Sequence, residues 1–142
     1  MRGVIFMYLN WDDTLAIGID NIDNQHKELF DRLDRLLVAM KEEKGKNEIT
    51  NTLNFLEEYV IKHFTEEEEI QRTNNYPLYD LQHKQHEEFK DELKKLKTAF
   101  EATGESALLA LNIQRKIINW IRGHIINLDK DLGDFLKEKS KQ

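Results

Sequence analysis

Residues 59–89 run YVIKHFTEEEEIQRTNNYPLYDLQHKQHEEF, and the fold turns on how this stretch is read. Positions four apart share one face of an α-helix, so His63 and Glu67 project together. Both fall inside an apolar stripe, Leu53, Leu56, Val60, His63, Glu67 and Ile70, with steps of 3, 4, 3, 4 and 3. A polar, ligand-type side chain inside a core stripe is unfavourable unless it is paired or bound to metal. One such residue reads as a satisfied core histidine. Its recurrence on other segments reads as a shared site.

The break after this helix is Asn74-Asn75-Tyr76-Pro77, because proline disfavours helix at the residue before it. The second helix is therefore expected at 46–73 and the third at 78–103, closed by Gly104. The third helix has its own stripe: Gln82, His86, Phe89, Leu93, Leu96 and Phe100. His83 falls off that stripe, onto the face of Lys90 and Lys97, turned by about 100° from Gln82. Within the acidic run, Glu66, Glu68 and Glu69 read as a solvated face, and only Glu67 shares the seam.

The flanking segments repeat the pattern. A first helix over 21–44 is expected, capped by Asp and Asn within 20–23 and stopped by Gly45. Its stripe is Ile22, His26, Leu29, Leu33, Leu36 and Met40, with Phe30 and Leu37 beside it. A fourth helix over 105–139 has Leu108, Leu111, Ile117, Ile121, His124, Leu128 and Phe135 on its apolar side. Asp129 follows His124 by five residues, which an ideal helix turns apart by roughly 140°. One centre serves both only if it lies between the two directions or the turn is locally widened. Residues 1–20 read as a non-helical N-terminal arm, anchored by Trp11, Leu15, Ile17 and Ile19.

Four long amphipathic helices with short connections predict an all-α, up-down-up-down antiparallel four-helix bundle, one domain over 1–142. The chain has five histidines. Four of them, His26, His63, His86 and His124, lie on core stripes, and such clustering points to a metal site. Glu-x-x-His, the di-iron signature of ferritin-like bundles, does not occur. Two carboxylates, Glu67 and Asp129, with several imidazoles suit two metals, the carboxylates bridging and the imidazoles capping.

Composition narrows the chemistry. With no cysteine among 142 residues, disulfides and thiolate metal sites are excluded. Imidazole and carboxylate suit iron, manganese, zinc or copper. A net charge of −6 without a basic stripe argues against nucleic acid. The apolar run Val4 to Leu9 is too short to span a membrane, and the expected location is the cytoplasm.

The ordered set of motifs resembles the hemerythrin family, specifically its single-domain bacterial type. The resemblance runs through Trp11, Ile22-Asp23-Asn24-Gln25-His26-Lys27, and His63-Phe64-Thr65-Glu66-Glu67. It continues with Tyr76-Pro77, His86, Phe89, Trp120, His124-Ile125 and Asp129. It implies a non-haem, oxo- or hydroxo-bridged centre of two iron ions that reversibly binds O₂. His26 and His63 would hold the iron with the open position, Glu67 and Asp129 would bridge, and His86 and His124 would hold the second iron. O₂ and small anions such as azide or peroxide are the implied ligands, in a monomer or weak oligomer used for oxygen storage, delivery or sensing.

The chain departs from that family at position 82. The family pattern has His-x-x-x-His on the third helix, and here Gln82 precedes His86. Gln71 also stands where the family usually carries a large apolar residue. Three arrangements are open: a Gln82 amide oxygen as a weak ligand, His83 reaching in through a tightened turn, or water at an open position. An open second iron would favour the alternative function, a di-iron peroxidase or oxidase. A third class is a signalling module in which metal is only structural.

Overall fold

The computed structural model describes residues 11–141. The run Val4 to Leu9 and the first half of the expected arm lie outside the described residues. The rest of the arm crosses the bundle through a single 3₁₀ turn, Asp13–Leu15. Leu15 and Ile17 are buried, and Trp11 packs edge-on against Phe30 at 6.2 Å.

Four antiparallel helices follow: α1 (Asp20–Lys41), α2 (Lys46–Thr73), α3 (Tyr79–Thr103) and α4, a continuous helical run. The run of α4 is Ser106–Asn112, Ile113–Ile118, Asn119–His124, Ile125–Asp129 and Lys130–Ser140. Its second and fourth pieces are π turns, with hydrogen bonds one residue wider than in an α-helix. The stripes expected of α1 and α3 are buried at every position. They meet Leu53, Leu56 and Val60 of α2 and Ile113, Ile117 and Ile121 of α4 in one core.

The helix ends depart from expectation for local reasons. Asp20 and Asp23 do not cap α1; its N-cap is Ile19, without a side-chain bond. The Asp23 carboxylate instead accepts from the amides of Ile17 (2.8 Å) and Gly18 (3.1 Å), tying the arm to the helix. Nor does Gly45 stop α1. Glu43 takes the left-handed conformation at φ 54°, its amide bonds Met40 O and the Lys44 amide bonds Ala39 O. That is a Schellman closure, and Gly45 is left to be the N-cap of α2. Asn75, φ 55°, closes α2 the same way, with Tyr76 bonded to Gln71 O. Early in α4 the apolar phase is also shifted. Leu109 and Ile113 are buried, whereas Leu108 and Leu111 are exposed. The wide turn at Ile113–Ile118 resets the phase, so a single 3.6-residue period cannot fit both ends.

Candidate metal centre

One end of the core is polar. His26 of α1, His63 and Glu67 of α2, Gln82 and His86 of α3, and His124 and Asp129 of α4 are all buried there. The question left by the five-residue step is answered by α4. Ile125–Asp129 is a π turn, so the run between His124 and Asp129 is widened and both project into the centre.

The carboxylates divide the cluster into two halves. Glu67 Oε2 lies 3.5 Å from His63 Nε2 and 3.8 Å from His26 Nε2, while its Oε1 lies 3.1 Å from His86 Nε2. Asp129 Oδ2 lies 3.2 Å from His26 Nε2, and its Oδ1 lies 3.4 Å from His124 Nε2. Each carboxylate thus presents one oxygen to His26 and its side, and the other to the His86/His124 side.

The outward faces of the rings determine what the inward nitrogens carry. His63 Nδ1 meets Gln25 Oε1 at 2.7 Å, and the Gln25 amide is held by its own bond to Glu66. His124 Nδ1 meets Gln85 Oε1 at 2.9 Å. His86 Nδ1 meets the Glu68 carboxylate at 2.7 Å. All three partners are acceptors, so each Nδ1 carries the hydrogen and each Nε2 is left with a lone pair facing inward. The Nε2 atoms of His86 and His124 then face each other at 3.1 Å. Two lone pairs at that distance repel unless a cation or proton stands between them.

Electrostatics point the same way. Burial, reinforced by the facing His26, holds the His63 imidazole well below its ordinary value, so it is neutral. Burial pushes the Glu67 carboxyl well up, and the nearby Asp129 adds to the effect. Burial opposes charge on Asp129 as well, but His124 and His26 hold its carboxyl well down. Two buried carboxylates cannot both be charged cheaply without a positive partner. Both Glu67 oxygens and His26 Nε2 are buried without a hydrogen bond among the described residues. Neutral imidazoles, paired carboxylates and inward lone pairs fit divalent metal. Two overlapping groups, His26/His63/Glu67 and Glu67/His86/His124, each converge within 4.8 Å.

The acidic run contains a residue that the sequence reading misassigned. Glu68 is not solvated; it is buried and bridges His86 Nδ1 and His83 Nδ1, each at 2.7 Å. Burial works against its charge, yet the two imidazole hydrogen bonds hold its carboxyl down at about 2. The available signal was its place four residues after Phe64 and three before Gln71, on the face toward α3. Gln25 and Gln85 were missed as ring supports for want of any periodic signature. His83 does face outward, its side chain 47% exposed, and among the described residues it reaches the centre through Glu68. Gln82 is wholly buried and gives an N–H to Asp129 Oδ1 at 3.0 Å. Two aromatic rings clamp the second half: Phe64 stacks on His86 at 3.9 Å, and Trp120 on His124 at 4.5 Å.

Comparison with known proteins places the chain in a cation-binding family. The family described as Hemerythrin HHE cation binding domain matches residues 17–136. A bacteriohemerythrin of Stenotrophomonas maltophilia is 28% identical over 134 residues, 94% of this chain and 85% of that protein. One from Clostridium acetobutylicum is 26% identical over 129 residues, 87% of this chain and 98% of the relative. A myohemerythrin of Theromyzon tessulatum is 30% identical over 87 residues, 61% of this chain and 67% of that protein.

Proposed function

The chain belongs to the hemerythrin HHE cation-binding family, and from that premise we propose that it is a non-haem di-iron protein that reversibly binds O₂. The observation that carries the reading is the division of Glu67 and Asp129, one oxygen of each toward either half of the histidine cluster. His26, His63, His86 and His124 are the proposed imidazole ligands, Glu67 and Asp129 the bridges.

Two irons, when bound, supply the reversible electron exchange with O₂. The chain's own part is to orient and exclude. Gln25, Gln85 and Glu68 fix three imidazoles in the tautomer that points Nε2 inward. Leu29, Leu33, Ile117, Ile121 and Ile125 wall the neighbourhood with buried apolar surface, which limits water entry. Small anions such as azide or peroxide are proposed competitors for the same space. Among the described residues no helix is long and apolar enough to cross a membrane. We propose a cytoplasmic role in oxygen storage, delivery or sensing, as a monomer or weak oligomer.

A second reading, a di-iron peroxidase or oxidase, is favoured by Gln82. Its amide N–H faces Asp129, where the family pattern expects an imidazole. Iron analysis with absorption spectra under argon and then air tests the first reading. Two irons per chain and a reversible spectral change on adding air are expected. Irreversible bleaching with turnover of added peroxide would instead select the enzyme.

A further inference from the structure

Glu67 on α2 faces His86 on α3 at 3.1 Å. The two helices are antiparallel, so one turn nearer their connection Gln71 and Gln82 stand at the same level. Both are 0% exposed. Three of their four amide atoms, Gln71 Oε1, Gln71 Nε2 and Gln82 Oε1, have no hydrogen-bond partner among the described residues. The fourth, Gln82 Nε2, donates to Asp129 Oδ1, the oxygen on the His124 side. The Gln82 amide also faces the Tyr76 hydroxyl, which donates to the exposed Asp131 at 2.7 Å.

Buried amide atoms are nearly always hydrogen-bonded, because an unmade bond carries the whole desolvation penalty. The needs of this group define its partner. Two carbonyl oxygens require donors, and the Gln71 NH₂ group, with two N–H bonds, requires acceptors. Water can donate one hydrogen to each carbonyl and accept from an N–H at the same oxygen, and hydrogen peroxide can do so across its two oxygens, each carrying one hydrogen. Dioxygen and azide have no hydrogen to give and leave the carbonyls unbonded.

We propose that Gln71 and Gln82 form a polar cradle beside Asp129 for a hydrogen-bearing oxygen ligand, of the class of water or hydrogen peroxide. The cradle lies on the His86/His124 half of the centre. The proposal rests on the di-iron reading for what lies beside the cradle, while the cradle itself is built from protein amides. It makes the second half of the centre a place for a protic ligand, where an apolar side chain at position 71 would leave none.

The test is a high-resolution crystal structure of the wild-type protein and of Gln71→Met, each in iron-loaded, redox-inert zinc-loaded and metal-free form. Methionine keeps the length of glutamine, so the fold is retained. The wild type should show oxygen density within hydrogen-bond distance of the Gln71 and Gln82 side chains, lost in Gln71→Met. Single-atom density identifies water; two-atom density after a hydrogen peroxide soak of zinc-loaded crystals identifies peroxide. Gln71→Met should also melt lower by roughly 3 °C, since it strands the ligand and Gln82. Absence of density between the amides, or a melting temperature equal to or above wild type, overturns the cradle. Failure of the wild type to bind iron overturns the di-iron reading instead, and the metal-free crystals still judge the cradle.

Discussion

The His26/His63 half of the centre and the His86/His124 half share both carboxylates but differ in their supports. In the first half, His63 leans on the neutral amide of Gln25, and His26 Nδ1 has no hydrogen bond among the described residues. In the second half, His86 is held by a charged carboxylate, Glu68, and both rings are stacked on aromatic faces. Yet this better-braced half has an amide, Gln82, at the position where the family resemblance implies a further ring. Rigid support and a full set of strong ligands are therefore separable properties. The chain holds two imidazoles firmly while leaving their neighbourhood polar.

The largest effect should come from removing what the halves share. Glu67→Ala is expected to abolish loading of both metals, because each half loses an oxygen and a buried charge partner at once. Retention of one iron per chain in that variant, by metal analysis, would show that the halves do not depend on a common bridge.

Next come the supports. Glu68→Ala should weaken metal binding roughly 10- to 100-fold, as loss of a ring-orienting carboxylate does. Gln25→Ala should cost less, because its bond to His63 lacks the charge assistance that Glu68 has. Competition with a chelator measures both, and equal losses would erase the contrast between the halves.

A third comparison concerns position 82. Gln82→His is expected to lengthen the life of the oxygenated protein by several-fold, on the order of one strong ligand interaction. His83→Ala should leave iron content nearly unchanged, because His83 touches Glu68 and not the centre. Stopped-flow spectra on the three proteins decide it. If His83→Ala loses an iron while Gln82→His behaves as wild type, His83 is the ligand and α3 must rotate at its start.

The smallest effect is a pH dependence. The Glu68 carboxyl is held at about 2 against an ordinary 4.5. A carboxylate with a lowered folded-state value stabilises the fold above its unfolded value and loses that contribution as pH falls. The wild type should therefore lose stability relative to Glu68→Gln between pH 4.5 and about 2, with the difference constant above that window. Acid-unfolding curves that stay parallel through the window would mean that Glu68 is not charged against the imidazoles.

The seam positions were legible before any coordinates, because burial follows helical period. His26, His63, Glu67, Gln82 and His86 each sit where a 3.5-residue average step puts them. Period reasoning failed where the helix itself departs from its period. Leu108 and Leu111 were assigned inward, yet the π turn at Ile113–Ile118 shifts the phase and they face out. The same kind of turn at Ile125–Asp129 is what lets Asp129 share the centre with His124. Glu68 escaped notice because a run of four glutamates has no contrast of its own; only the approach of α3 distinguishes it from Glu69.

The sequence by itself determined four helices, the polar interruption of their shared seam and the residue types that a metal would meet. Those follow from spacing and side-chain chemistry, which are local. Tertiary structure alone decided which oxygen of Glu67 faces which histidine, which ring nitrogen carries hydrogen, and that Gln71 and Gln82 stand level with three of their four amide atoms unbonded among the described residues. These depend on distances between helices far apart in the chain, and no periodicity within one helix encodes them.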